Sequence, residues 1–427
     1  MTMPVPTTRA RAARLAVSAM FLANGALAAS ILPRLPAIKD ALRLSNAELG
    51  AAVAAMPVGG LVAGGLAGLL IARFGSARVL SIAGPASCLL LLLVGLAPSW
   101  IALAAAYFVL GMFDSTMDAS MNTHGLGLQR LYGRSILQGF HGTWSAGGMI
   151  AGAAGALAAA AGVPVAVHLG IVGVVLAVLA IAMSTRLLPR AVADAHDAHD
   201  SQAGSDVPAE RIHPSNAGRL LRLLVPIAML GILCVVVQSA AATWSTVYTR
   251  DVLGLSAGVA ATAFVLYTAS MTVGRLTNDR WVDRLGPTRM VRIGAGSSAA
   301  GLGGVMAASP LGGPALAFAG FAVVGLGSSP MFPVMVAAAG SRPGIPAGYG
   351  VALVSWLVRI GLVFAPAIVG VAADRAGLAA AFGIPLVSAI VIAVVAPRMV
   401  GTLVRNRGAA PAPASPRSPG SPRSPAG

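Results

Sequence analysis

Charge is what this sequence has least of. Asp, Glu, Lys and Arg make up 10% of its 427 residues, against about a quarter in a soluble chain. Set beside 57% hydrophobic residues, that shortage excludes a water-soluble fold and makes this a membrane protein. Cysteine is scarce too. Cys88 and Cys234 each lie in an apolar run without a local partner or metal-type spacing, so they read as inert core thiols that say little about compartment. Also lacking are a GxxxxGK[ST] loop, a metal-spaced His/Cys cluster and a polar segment large enough to house a catalytic domain. These absences exclude an ATP-driven pump within the chain. No cofactor and no metal are expected, and the chain is read as not an enzyme.

What is abundant is long apolar stretches. They lie near 13–33, 47–72, 79–97, 100–128, 135–161 and 164–187, and after a polar gap near 220–248, 256–278, 288–308, 314–340, 346–373 and 377–399. Each can cross a hydrocarbon core of about 30 Å as a helix. Helices are also what the solvent demands, because hydrocarbon offers backbone N–H and C=O groups no partner outside their own segment. The first stretch follows Arg9, Arg11 and Arg14 and ends in ALAAS, an outline shared with secretory signals. With eleven more spans behind it, it is read as a first transmembrane helix.

Lys and Arg accumulate in cytoplasmic loops. An N-terminus inside places 22 of the 29 basic residues on the cytoplasmic side and leaves Arg34, Lys39, Arg43, Arg250 and Arg375 outside. The expectation is twelve helices in the bacterial inner membrane with both termini cytoplasmic. This accounts for the net charge of +16 through anionic lipid rather than nucleic acid.

The expected organisation is a first six-helix bundle over 1–187, a cytoplasmic linker over 188–219, a second bundle over 220–399 and a disordered tail over 400–427. The linker holds His196 and His199, where a solvated connection is preferred to a metal tract. The tail, APAPASPRSPGSPRSPAG, cannot bury a core.

An internal repeat links the halves. GLLIARFGSARVL at 68–80 matches DRWVDRLGPTRMV at 279–291, so Arg73, Gly75 and Arg78 align with Arg284, Gly286 and Arg289. Parallel six-helix repeats of this kind build some secondary transporters, with substrate held between the halves. Here the chain resembles the major facilitator superfamily, whose loop between helices 2 and 3 reads G-x-x-x-D-R-x-G-x-x-R. Gly68, Arg73, Gly75 and Arg78 match, while Ala72 stands where that pattern has Asp; the second half keeps Asp283, Arg284, Gly286 and Arg289. The resemblance implies gating loops at these positions, with cytoplasmic closure leaning on the second half. DASMN at 118–122, FHGTWSAGG at 140–148 and SPMFP at 329–333 are similar to the fucose-permease-like branch, in particular its YbjJ-type members. That likeness implies a proton-coupling carboxylate at Asp118 and a partner asparagine at Asn122. It also implies that Asn24, Gln238, Trp244 and Phe332 sit on cavity-lining helices as cargo contacts.

Asp114, Asp118 and Asn122 lie at i, i+4 and i+8 on one face of span 4. An ionised Asp at the bilayer centre costs at least about 2.5 kcal/mol on insertion scales, so this face lines water, meets a cation or holds a proton. The expectation is that Asp118 carries a proton and that Asp114 tunes it or binds cargo. The alternative is a stripe that only satisfies buried partners. Arg359 in span 11 is a counter-ion for Asp114 or a clamp for an anionic cargo. Gln138, His141 and Trp144 recur at three-residue spacing on span 5 as substrate or proton-path residues, with a packed hydrogen-bonding histidine as the other reading. His124, His168, Trp100 and Tyr248 are assigned to the membrane interface. GxxxG spacing at Gly60, Gly64 and Gly68, and at Gly148 and Gly152, suits close helix packing. Pro330, Pro333 and Pro366 suit kinks at cavity depth.

The reading is an all-α membrane protein of two six-helix bundles related by a pseudo-two-fold axis. It acts as a monomer in the lipid bilayer and moves a small-molecule, sugar-like solute with protons by alternating access. The alternatives are a proton-driven drug or metabolite exporter and a membrane receptor or scaffold that does not transport.

Overall fold

The computed structural model describes residues 7–133, 136–188, 217–340 and 347–408, and among them every regular element is helical. The first half contributes α1 (Thr8–Ile31), α2 (Asn46–Phe74), α3 (Ser76–Leu96), α4 (Trp100–Tyr132), α5 (Leu137–Ala160) and α6 (Val165–Ser184). The second contributes α7 (Ala217–Asp251), α8 (Ala257–Leu285), α9 (Pro287–Ala307), α10 (Pro314–Ser328), α11 (Ala347–Ala376) and α12 (Gly383–Gly408). After a break at Ser329 and Pro330, α10 continues as a separate helix, Met331–Gly340. Proline removes a backbone donor and clashes one turn back, which accounts for the interruption. Helix α12 runs to Gly408, past the boundary at 399 expected from hydropathy, so residues 400–408 are helical rather than tail. The remaining tail and the linker around His196 and His199 lie outside the described residues.

By length and composition, ten helices of the described residues are apolar enough to cross a membrane, and α5 and α9 are not among them. At 24 and 21 residues they still extend about 36 and 32 Å. Their hydropathy is diluted by Gln138, His141 and glycines in α5, and by Arg289, Arg292, Ser297 and Ser298 in α9. A helix packed on protein and cavity has no need of a continuous apolar surface.

Packing repeats across the halves. In the first, α1 lies on α5, α2 on α4 and α3 on α6; in the second, α7 lies on α11, α8 on α10 and α9 on α12. Two further pairings join the halves, α2 with α11 and α5 with α8, and they exchange under the same correspondence. Each half thus buries its own seams, and the halves meet along two symmetric contacts.

Missing side chains permit the tightest crossings. A Cβ on Gly25 or Gly147 would overlap the Trp144 or Leu22 carbonyl oxygen, and one on Gly59 or Gly111 would overlap that of Phe108 or Met56. The expected GxxxG seam on α2 needs correction. A Cβ on Gly60 would find Ser115 at 3.5 Å, one on Gly64 would meet only an Arg359 nitrogen at 3.8 Å, and Gly68 has nothing within 4 Å. Gly148 and Gly152 do approach neighbours, the Gly25 oxygen and the Phe264 ring.

Two residues assigned to the membrane interface, Tyr248 and His168, are packed inside the protein. Tyr248 is fully buried and donates its hydroxyl hydrogen to the Val305 carbonyl at 2.6 Å, with edge contacts to Phe321 and Phe382. His168 is buried, and neither of its ring nitrogens has a partner among the described residues. Trp100 remains partly exposed and donates its indole N–H to the Glu48 carbonyl at 2.8 Å.

Candidate functional site

The molecule is sealed at the end where α1 turns into α2. There Lys39 pairs with Asp251 at 2.7 Å and Arg250 pairs with Asp40, each bridge joining the two halves. Asp374 on α11 accepts the backbone N–H groups of Asn46 and Ala47 at 2.9 and 2.8 Å. These are the first two residues of α2, whose unsatisfied donors and positive dipole end attract an anion. Ser45 and Glu48 close a capping box at the same terminus, so α2 is capped both locally and from the other half. A Cβ on Gly50 would overlap the Pro366 carbonyl oxygen, and one on Gly370 that of Asn46; the backbones of α2 and α11 therefore touch.

Behind this seal lies one large cavity of about 1670 Å³ between the halves. Asn24, Asp114, Asp118, Gln138, His141, Trp144, Phe332 and Arg359 line it. Asn122, Gln238 and Trp244 are not on its wall. The Asn122 amide donates to the Asp118 carboxylate at 3.0 Å and to its backbone carbonyl at 2.9 Å, so it supports the acid. Gln238 donates to the Ser328 carbonyl at 3.0 Å. Trp244 is wholly buried within the second half.

On the first-half wall a hydrogen-bonded chain crosses three helices. The Trp144 indole N–H on α5 donates to Asn24 Oδ1 on α1 at 2.9 Å, and Asn24 Nδ2 donates to Asp114 Oδ1 on α4 at 2.7 Å. The amide orientation follows, because indole only donates and an ionised carboxylate only accepts. One turn away, Asp118 lies within electrostatic reach of Arg359 and His141. The His141 ring meets Phe21 edge-on at 5.2 Å. No ion pair within 4 Å joins Asp114, Asp118 and Arg359 among the described residues.

Several lining residues escaped the sequence reading. Arg275, Thr272 and Asn278 on α8, Ser239 on α7 and Tyr107 on α4 face the cavity. The positive charge of Arg275 within an apolar span was the available signal. The ion-pair partners at the sealed end were also missed, because surface charges near helix ends are too common to single out.

At the opposite end the two repeated loops adopt the same backbone. Gly75 has φ 83° and ψ 150°, and Gly286 has φ 78° and ψ 154°. That region is almost closed to residues with a Cβ, which explains a glycine at both places. Arg73 lies over the Phe74 ring at 5.3 Å and Arg284 over the Trp281 ring at 6.0 Å. Arg78, Asp283 and Arg289 are exposed beside these turns, and Gly68 faces open space. Near the first turn His124, which is buried, has Nδ1 3.1 Å from Ser76 Oγ and accepts the Leu188 N–H at Nε2 from 3.2 Å. It ties α4 to the start of α3 and the exit of α6.

Comparison with known proteins agrees with this architecture. A transporter of uncharacterised function from Yersinia pestis is 28% identical over 362 residues, covering 82% of this chain and 85% of its own. The crystal structure of a D-xylose-proton symporter superposes with a TM-score of 0.70 at 16% identity, covering 90% of this chain and 97% of that one. The crystal structure of the nucleoside transporter NupG gives a TM-score of 0.69 at 13% identity, covering 92% of this chain and 98% of that one. At those identities the two structures speak for the fold. The family model of the Major Facilitator Superfamily matches residues 17–347, and the chain belongs to that superfamily.

Proposed function

We propose that this membrane transporter moves a small polar solute of sugar type by alternating access, coupled to protons through Asp118, in the bacterial inner membrane. The observation that carries the reading is the pair of acids, Asp114 and Asp118, on the wall of a cavity between the halves that is sealed at the end where α1 turns into α2. The bias of Lys and Arg toward cytoplasmic loops makes the open end cytoplasmic, with both termini on that side. Residues 1–187 and 220–399 are then the two rocking bodies and 188–219 the connection between them. Asp114, held by Asn24, orients cargo or tunes its neighbour. Asp118, facing Arg359 and His141, takes a proton when the cavity opens outward and gives it up when it opens inward. Kinship with the fucose-permease-like branch rests on the DASMN, FHGTWSAGG and SPMFP matches.

The test uses the purified full chain in proteoliposomes with an internal pH dye and a panel of sugars. At least one solute is expected to drive proton movement. Asp118→Asn is expected to exchange that solute across the bilayer but not accumulate it against a gradient. Uphill accumulation by Asp118→Asn equal to the parent's would end the assignment.

A further inference from the structure

We infer that the cargo carries an anionic group, and that Arg275 and Arg359 of the second half are the site that receives it. The inference rests on the transport reading above and names the chemistry of its substrate.

The charges on the cavity wall are segregated. Both acids belong to α4 in the first half, and both arginines belong to the second, Arg275 on α8 and Arg359 on α11. The acids have partners of their own: Asn24 donates to Asp114, and Asn122 donates to Asp118. Arg359 feels both acids only at longer range. Among the described residues neither guanidinium forms a salt bridge or a hydrogen bond, and both face the same cavity. Arg359 reaches the neighbouring α2, since a Cβ built on Gly64 would lie 3.8 Å from its Nη1. His141 lies within electrostatic reach of Arg275 and of Asp118.

A guanidinium has five N–H donors in a fixed plane and no acceptor. Two of them supply only donors, whereas a neutral polyol presents hydroxyls that ask for donors and acceptors in similar measure. A carboxylate is acceptor-only, and its two oxygens match the guanidinium fork. A charged side chain inside a membrane span is costly and is kept where a partner or pathway uses it. Thr272 and Asn278 beside Arg275, and Asn24, Ser115 and Gln138 on the opposite wall, can hydrogen-bond a hydroxylated remainder. The chemistry that fits is a small hydroxylated carboxylate, a sugar acid rather than the neutral sugar.

The test compares molecules that differ only in the acidic group: D-glucuronate with D-glucose, D-gluconate with D-sorbitol and D-galactonate with galactitol. Binding to the full chain is measured by titration calorimetry, and proton movement in proteoliposomes. At least one acid is expected to bind about tenfold or more tightly than its neutral counterpart. Arg275→Gln and Arg359→Gln should each lose about tenfold in affinity for that acid, with partial recovery in the Lys variants, which keep the charge without the fork. Equal binding of acids and their neutral counterparts by the parent protein, a comparison that needs no variant to fold, would overturn the inference. So would unchanged acid binding by the double Gln variant. If neutral sugars move protons and no acid binds, the anionic cargo is wrong and proton-coupled transport stands. If no member of any pair binds or moves protons, both readings fall.

Discussion

At its sealed end the protein brings the two halves into backbone contact; among the described residues at the opposite end, Gly68 of α2 makes no such contact. On α2, Gly50 touches α11 while Gly68, on the same helix, faces empty space. Around the first lie two ion pairs and a helix terminus capped by Asp374 from the other half. Around the second lie exposed Arg78, Asp283 and Arg289. The difference teaches that closure is built in layers. Small residues let the backbones meet, a carboxylate satisfies the exposed helix donors, and surface charges add a little more. Under the alternating access proposed above, the pseudo-two-fold makes the opposite end the part that assembles a comparable set in the other state.

Filling the sealed crossing should break the comparison most severely. In Gly370→Leu the new side chain would start on top of the Asn46 carbonyl. Overpacking of this kind costs about 1–3 kcal/mol or more, enough to shift the balance toward opening at that end by roughly tenfold or beyond. Spin labels spanning α2 and α11 should report a wider separation. Gly68→Leu, which meets no neighbour, should leave that separation unchanged, and equal effects from the two would erase the distinction between the ends.

Removing the cap from the other half is a smaller change. Asp374→Ala strips two acceptors from the start of α2, a loss of about 0.5–2 kcal/mol by analogy with N-cap deletions. The expected result is faster labelling of a cysteine placed at the sealed rim, with low background because Cys88 and Cys234 are buried. Labelling at the parental rate would show that Ser45 and Glu48 suffice as a cap.

The smallest effect belongs to Lys39→Gln. Its pair with Asp251 is partly exposed, and such bridges contribute about 0–1 kcal/mol and are screened by salt. Rim labelling should rise slightly at low ionic strength and match the parent at high salt. A large, salt-independent effect would mean that the ion pairs, rather than the backbone contacts, hold this end shut.

Hydropathy alone was enough to find most of the helices, because long apolar runs have no other stable form in lipid. It was weakest for α5 and α9, which line or support the interior and so carry Gln138, His141 and the serines at 297 and 298. Asp114 and Asp118 were legible as site candidates, since an acid in an apolar span is expensive wherever it points. Arg275 carried the same signal, masked by the loop arginines that follow it. Trp244 and Gln238 looked equally suitable as cargo contacts, yet they turn into the second half. Which face of α7 meets the cavity depends on packing against α8 and α11.

What the sequence by itself determined is the solvent, the helical class, the internal repeat and the need to shelter two acids, because transfer costs and backbone hydrogen bonding act on each segment in isolation. Only the tertiary structure decided which end is closed, which polar residues share the cavity, and that the acids of one half and the arginines of the other line the same space. Those follow from contacts between residues hundreds of positions apart, such as Asp374 with Asn46, and a helix carries no mark of the neighbour it will meet.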